Sequence, residues 1–153
     1  MSGYEAKIAE LGLELPPVAP PAGAYLPAVI SGNLVFTAGQ IPLVDGKLIA
    51  TGKVGEDLTA EEGKVIAQRC VLNAIAAVKS VIGDLDRITK IVKVVGFVAS
   101  TPDFTAQPTV LNGASEFLEK VFGEAGKHAR SAVGVAALPL DAPVEVELIV
   151  DFR

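Results

Sequence analysis

Ile88-Thr89-Lys90-Ile91-Val92-Lys93-Val94-Val95-Gly96-Phe97-Val98-Ala99 reads as one long strand, rich in β-branched residues and charged only at Lys90 and Lys93. Apolar side chains fall on both of its faces, as in Ile91-Val92 and Val94-Val95. A strand with one solvated face alternates apolar and polar residues, whereas a strand covered on both faces does not. The sheet that holds this segment therefore needs cover on two sides.

The neighbouring segments supply cover for one side. Upstream, Thr59-Ala60-Glu61-Glu62 has the capping-box spacing, a hydroxyl followed three residues later by a carboxylate. The helix it opens carries Val65, Ile66, Val71, Leu72, Ile75, Val78 and Ile82 broadly on one face, and Gly83 stops it. Downstream of the Pro102 turn, Val110, Ala114, Phe117, Leu118, Val121 and Phe122 recur at helical spacing up to Gly123 or Gly126. Further out the pattern returns to strands. Leu26–Ile30 and Leu34–Ala38 flank the turn Ser31-Gly32-Asn33, and Gly39-Gln40-Ile41-Pro42 breaks that run. Asp45-Gly46 between Leu43-Val44 and Lys47-Leu48-Ile49 predicts a small hairpin. Ser131–Leu138 and Val144–Phe152 flank the turn Pro139-Leu140-Asp141-Ala142-Pro143. The order β-β-(β)-α-β-α-β-β predicts an α+β sandwich, a mixed six-stranded sheet with two helices on one face. The second face is then bare, and another subunit is its simplest cover.

Residues 1–22 differ from the rest. Ile8, Leu11 and Leu15 have apolar spacing for about two helical turns between Tyr4 and Leu15. Pro16-Pro17-Val18-Ala19-Pro20-Pro21 cannot continue a helix, because proline lacks the amide hydrogen. The division expected is an N-terminal arm, 1–22, laid over a single domain, 23–153.

Composition narrows the function. The 153 residues are 50% hydrophobic and 20% charged, which suits one packed domain and excludes a disordered chain. Thirteen basic against eighteen acidic residues give a net charge of -5, without Lys/Arg clusters, so no nucleic acid is expected as partner. No uninterrupted apolar run approaches about 18 residues, and Met1-Ser2-Gly3-Tyr4-Glu5 is unlike a signal peptide. A cytoplasmic protein without membrane contact is the expectation. The single cysteine, Cys70, excludes an internal disulfide and any multi-cysteine metal site. No metal-ligand spacing and no glycine-rich phosphate loop is present, so no metal and no cofactor is expected.

Few side chains remain for chemistry. His128 sits in a Gly/Lys loop and reads as solvated rather than as a general base, and mid-helix Cys70 reads as a small packed residue. Arg130 stands at the mouth of an apolar strand. Its planar fork suits a carboxylate, although such an arginine also suits a surface ion pair. Glu145 and Glu147 alternate with Val144 and Val146, so both point to one face of the last strand.

Ala129-Arg130-Ser131-Ala132-Val133, through Leu138-Pro139 to Val144-Glu145-Val146-Glu147, resembles the C-terminal signature of the RidA/YjgF family, the reactive intermediate deaminases. Tyr25, the run Ser31-Gly32-Asn33-Leu34-Val35-Phe36-Thr37-Ala38-Gly39-Gln40-Ile41-Pro42, and Asn112 before Glu116-Phe117 agree with it. The resemblance covers residues 23–153. It implies a chorismate-mutase-like fold and a homotrimer with sites in the subunit clefts. It also implies that Arg130 clamps a substrate carboxylate and Glu145 polarises the attacking water. Tyr25, supplied across the interface, closes the pocket wall, while Gly39 and Asn112 line it. Many members carry cysteine where this chain has Ala132, whose backbone amide survives to contact carboxylate or water.

The activity so implied is hydrolytic deamination of small 2-imino acids and their enamine tautomers to 2-keto acids and ammonia. Proximity and a general base are all it needs, without a cofactor. The alternative is a trimeric module that binds small carboxylates without turnover. A ribonuclease fits worst, because this acidic chain offers a single histidine and no acid/base pair of the usual kind.

Overall fold

The computed structural model describes Gly3–Arg153. Its elements run α1 (Gly3–Glu10), β1 (Ala28–Ser31), β2 (Leu34–Thr37), β3 (Leu43–Val44), β4 (Lys47–Leu48), α2 (Ala60–Ile82), β5 (Ile88–Ala99), α3 (Gln107–Phe122), β6 (Ala129–Val135) and β7 (Val144–Phe152). The architecture is the expected α+β sandwich with a mixed sheet. Its strand order is β1-β2-β7-β5-β6, antiparallel throughout except for the parallel pair β5–β6.

The main sheet has five strands, where the sequence predicts six. Among the described residues, strands β3 and β4 pair with each other in a separate two-stranded sheet. Gln40 makes a single bridge to Val146, and Pro42 follows it without an amide hydrogen to extend that ladder. The hairpin is held instead against α2, where buried Asn73 donates its Nδ2 to the carbonyls of Ile41 at 3.1 Å and Leu43 at 3.0 Å.

Both long helices start and stop where local chemistry dictates. Thr59 caps α2 in a complete capping box with Glu62, and Gly83 at φ 86° ends it. The helix is 23 residues long and apolar enough to cross a bilayer, yet most of it is buried between the sheet and α3. Val65, placed by spacing on the apolar face, is 65% exposed. Helix α3 begins three residues earlier than its apolar spacing suggests, because Pro108 in the first turn has no amide to leave unpaired. Strand β6 begins at Ala129, so Arg130 lies within the strand and not at its mouth.

A third helix joins the same layer. Gly12, at φ 76°, follows the end of α1. Ile8 is 1% exposed, the Tyr4 and Phe122 rings meet at a tilt with centroids 4.6 Å apart, Glu5 pairs with Lys79 at 2.6 Å, and the Asp86 carboxylate accepts from the amides of Gly3 and Tyr4. The arm is thereby fixed to α3 and to the turn before β5.

The pairing registers divide the sheet into two faces. Ile91, Val94, Val98, Val146 and Leu148 point into the helix layer and are buried. On the opposite face run the rows Val29–Phe36–Ile149, Glu147–Val95–Ser131 and Glu145–Phe97–Val133. Val29, Phe36 and Val133 are exposed there at 46%, 37% and 45%. The face without helices is therefore largely apolar, as the Val-rich strand predicts.

Candidate active site

Arg130 shares its row with buried Val94 and Leu148, so its side chain points to the helix side, at the open edge of the sheet next to α3. Asn112 and Ser115, three residues apart on α3, face it. Arg130 Nη1 donates to Asn112 Oδ1 at 2.9 Å and to Ser115 Oγ at 3.1 Å. Both hydrogens of that nitrogen are thus spent on the protein. Its Nε and Nη2 make no hydrogen bond among the described residues, which leaves one edge of the guanidinium for a two-oxygen ligand. Ala132, two residues on, lies on the same side of β6 and packs at the margin of the core.

His128 belongs to this cluster and is not the solvated loop residue its neighbours suggest. It is half-buried, its Nδ1 lies 2.6 Å from the Gly126 carbonyl, and its Nε2 lies 2.9 Å from Ser115 Oγ. A carbonyl only accepts, so Nδ1 carries the hydrogen. Burial pushes the imidazole below its ordinary pKa, and although the Gly126 bond opposes that, the Arg130 and Lys90 charges add to it. Neutral His128 then accepts from the Ser115 hydroxyl while Ser115 accepts from Arg130. These residues, with Glu116, Glu119 and Lys127, line a cavity of about 390 Å³.

The second group of expected site residues lies on the other side of the chain. Glu145 is on the helix-free face, opposite Phe97. Its carboxyl rests on Gly39, where any Cβ would stand 2.0 Å from Oε1. Burial, and then the neighbouring Glu147 charge, hold its pKa above the usual glutamate value. Gly39 precedes Gln40, whose bridge to Val146 fixes that approach. Tyr25 precedes β1 at this same end of the sheet, is 50% exposed, and its hydroxyl accepts from the Ala22 amide at 3.2 Å. Within one chain, then, Arg130, Asn112 and Ala132 form one group and Gly39 and Glu145 another, on opposite faces of one sheet, while Tyr25 stands apart in the loop before β1.

Two larger hollows, about 510 and 610 Å³, lie under the proline-rich arm. Cys70 is fully buried, its thiol donates to the Val144 carbonyl, and burial raises its pKa, so it is chemically quiet. Among the described residues no three His, Cys, Asp or Glu side chains converge as a metal site would need.

Ser115 is not singled out in the sequence, and His128 is read there as a solvated loop residue. The available signal was their spacing: His128 alternates with Arg130 along the strand's approach, and Ser115 follows Asn112 by one helical turn.

A mixed sheet under two long helices, with an arginine cleft at its edge, defines an α+β protein of the chorismate-mutase-like class. Residues 5–152 match the family described as "YjgF/chorismate mutase-like, putative endoribonuclease". The chain belongs to this RidA/YjgF family. It is 44% identical over 149 residues to Protein TCP17 of Trypanosoma cruzi, covering 97% of this chain and 93% of that one. A 2-iminobutanoate/2-iminopropanoate deaminase of Dermatophagoides farinae is 35% identical over 136 residues, 88% of this chain and 91% of its own. The solved structure of a protein of unknown function from Agrobacterium tumefaciens has 44% identity and a TM-score of 0.92, over 98% of this chain and 92% of that one. Escherichia coli TdcF with bound serine has 27% identity and a TM-score of 0.65, over 91% and 94%.

Proposed function

We propose that the protein hydrolyses small reactive 2-imino acids, and their enamine tautomers, to 2-keto acids and ammonia. The observation that carries this reading is Arg130, anchored through Nη1 by Asn112 and Ser115 with the rest of its fork uncommitted. A guanidinium so held is a preformed carboxylate site, and its ligand loses little entropy in finding it. The relative named as an imine deaminase acts on substrates of that kind, and serine, bound in TdcF, is a small carboxylate.

Glu145 supplies the second requirement. A carboxyl with a raised pKa is a better proton acceptor near neutrality than an ordinary glutamate. It takes a proton from the water that attacks the carbon of the protonated imine, giving a neutral carbinolamine. Returning that proton to nitrogen makes an ammonium leaving group, and ammonia departs as Glu145 takes the hydroxyl proton and the carbon–oxygen double bond forms. Because Arg130 and Glu145 point to opposite faces of one sheet, the working site needs Glu145 from a neighbouring copy. The apolar helix-free face supports a homotrimer with the site in each subunit cleft, closed by Tyr25 and lined by Gly39. A cytoplasmic setting suits the unpaired, buried Cys70.

The second reading, a trimeric carboxylate-binding module without turnover, draws on Ala132 in place of the family's common cysteine and on the serine bound in TdcF. The two are separated by adding the protein to freshly generated 2-iminopropanoate and following ammonia and pyruvate. Acceleration proportional to protein supports the deaminase. Pyruvate binding without acceleration supports the module.

A further inference from the structure

We propose that Ser115 and His128 are positioning residues for Arg130, a hydrogen-bonded brace that fixes the guanidinium for its carboxylate ligand. The inference rests on the acid-clamp reading above and extends it to two residues with no assigned role.

Every link of the brace has one possible direction. The Gly126 carbonyl accepts from His128 Nδ1 at 2.6 Å, which fixes the tautomer. Nε2 is then an acceptor, and the Ser115 hydroxyl 2.9 Å away is its donor. The Ser115 oxygen keeps its lone pairs for Arg130 Nη1 at 3.1 Å. The remaining Nη1 hydrogen goes to Asn112 Oδ1 at 2.9 Å. Remove the imidazole and the serine hydroxyl is free to turn, so the arginine loses one of its two anchors. Backbone geometry supports the chain's far end. The Gly126 position would bring a Cβ within 2.3 Å of the Leu118 carbonyl oxygen, so the loop that presents the Gly126 carbonyl is pressed against α3. The brace is thus tied to the helix that carries Ser115 and Asn112, and Arg130 inherits that rigidity.

A brace of this kind acts on binding and not on the chemical step. It also makes Ser115 and His128 one unit, so their effects do not add. Isothermal titration with pyruvate tests both points. His128→Leu and Ser115→Ala should each weaken pyruvate about five- to tenfold, and the double variant should be no weaker than the worse single. His128→Gln, whose amide carbonyl can accept from Ser115, should bind within about twofold of the wild type. With 2-iminopropanoate, KM should rise and kcat stay within about twofold. A ligand-free measurement stands beside these. Side-chain ¹⁵N NMR of Arg130 should give separate Nη1 and Nη2 signals in wild type and His128→Gln. In His128→Leu and Ser115→Ala they should merge.

Unchanged Arg130 signals in His128→Leu would overturn the brace, whether or not the protein binds pyruvate. So would additive losses. A fall in kcat with unchanged affinity, or a covalent fluorophosphonate adduct on Ser115, would instead make Ser115 and His128 a reactive pair. Failure of the wild type to bind pyruvate, with Arg130 signals responding as expected, would sink the acid-clamp reading and leave the brace standing.

Discussion

Gly39 has no side chain because Glu145 occupies the space one would need. Gly39→Ala would put a methyl 2.0 Å from Glu145 Oε1, and the flexible carboxyl would move rather than the backbone. Turnover should fall at least tenfold while the melting temperature stays nearly unchanged. Glu145→Gln probes the same group through its proton. Its hydrolysis rate should fall by about two to four orders of magnitude, the usual share of general-base catalysis, with pyruvate affinity almost unaltered. Its stability effect has the opposite sign. A raised carboxyl pKa means that the fold favours the protonated form; this contribution is present at acid pH and lost as pH rises through the folded-state value. At pH 7 the native state therefore carries a cost that glutamine lacks. Glu145→Gln should melt above the wild type at pH 7, and the gap should close towards pH 4. Arg130→Lys keeps the charge and loses the fork, so pyruvate should bind at least tenfold more weakly by calorimetry.

At the scale of elements, α1 is built into the helix layer by buried Ile8, with Tyr4 packed on Phe122 beside it. Ile8 is 1% exposed, and Ile8→Ala should cost about 2 to 5 kcal/mol in denaturant unfolding, the range for a buried isoleucine truncated to alanine. A loss under about 0.5 kcal/mol would mean that α1 rests on the surface without being part of the core. The elements legible in sequence were those with a strong local signal. Strands β5 and β7 have the boundaries that their runs predict, and α2 lies between its Thr59 cap and Gly83. Alternation alone put Glu145 and Glu147 on one face. The β3–β4 hairpin is legible from Asp45-Gly46, but its separation from the main sheet is not, because pairing with β7 depends on residues far along the chain. The role of His128 was hidden for a similar reason. A histidine in a loop has no periodicity, and its partners Ser115 and Gly126 become neighbours only when α3 packs beside β6. Arg130 and Glu145 drew notice in sequence, but their opposite orientations follow from the registers of β5 with β6 and β7.

For the whole molecule, the two groups of candidate site residues in one chain lie on opposite faces of its sheet. Arg130, Asn112 and the Ser115–His128 pair stand at the β6 edge, and Glu145 and Gly39 stand at the other side of the sheet. A surface of one kind meeting a surface of another kind closes into a ring when the rotation allows it. The exposed apolar face of Val29, Phe36 and Val133 would be buried by that closure. In the proposed ring Arg130 of one subunit works with Glu145 of the next, and mixing subunits tests this pairing. Arg130→Ala and Glu145→Gln proteins, each nearly inactive, are unfolded together in equal amounts, refolded, and assayed on 2-iminopropanoate. If each site takes its arginine and its glutamate from different chains, about a quarter of the sites in randomly mixed rings regain both, and deaminase activity should recover to roughly that share of the wild type. A refolded mixture that forms mixed rings yet stays as inactive as its parents would contradict the account.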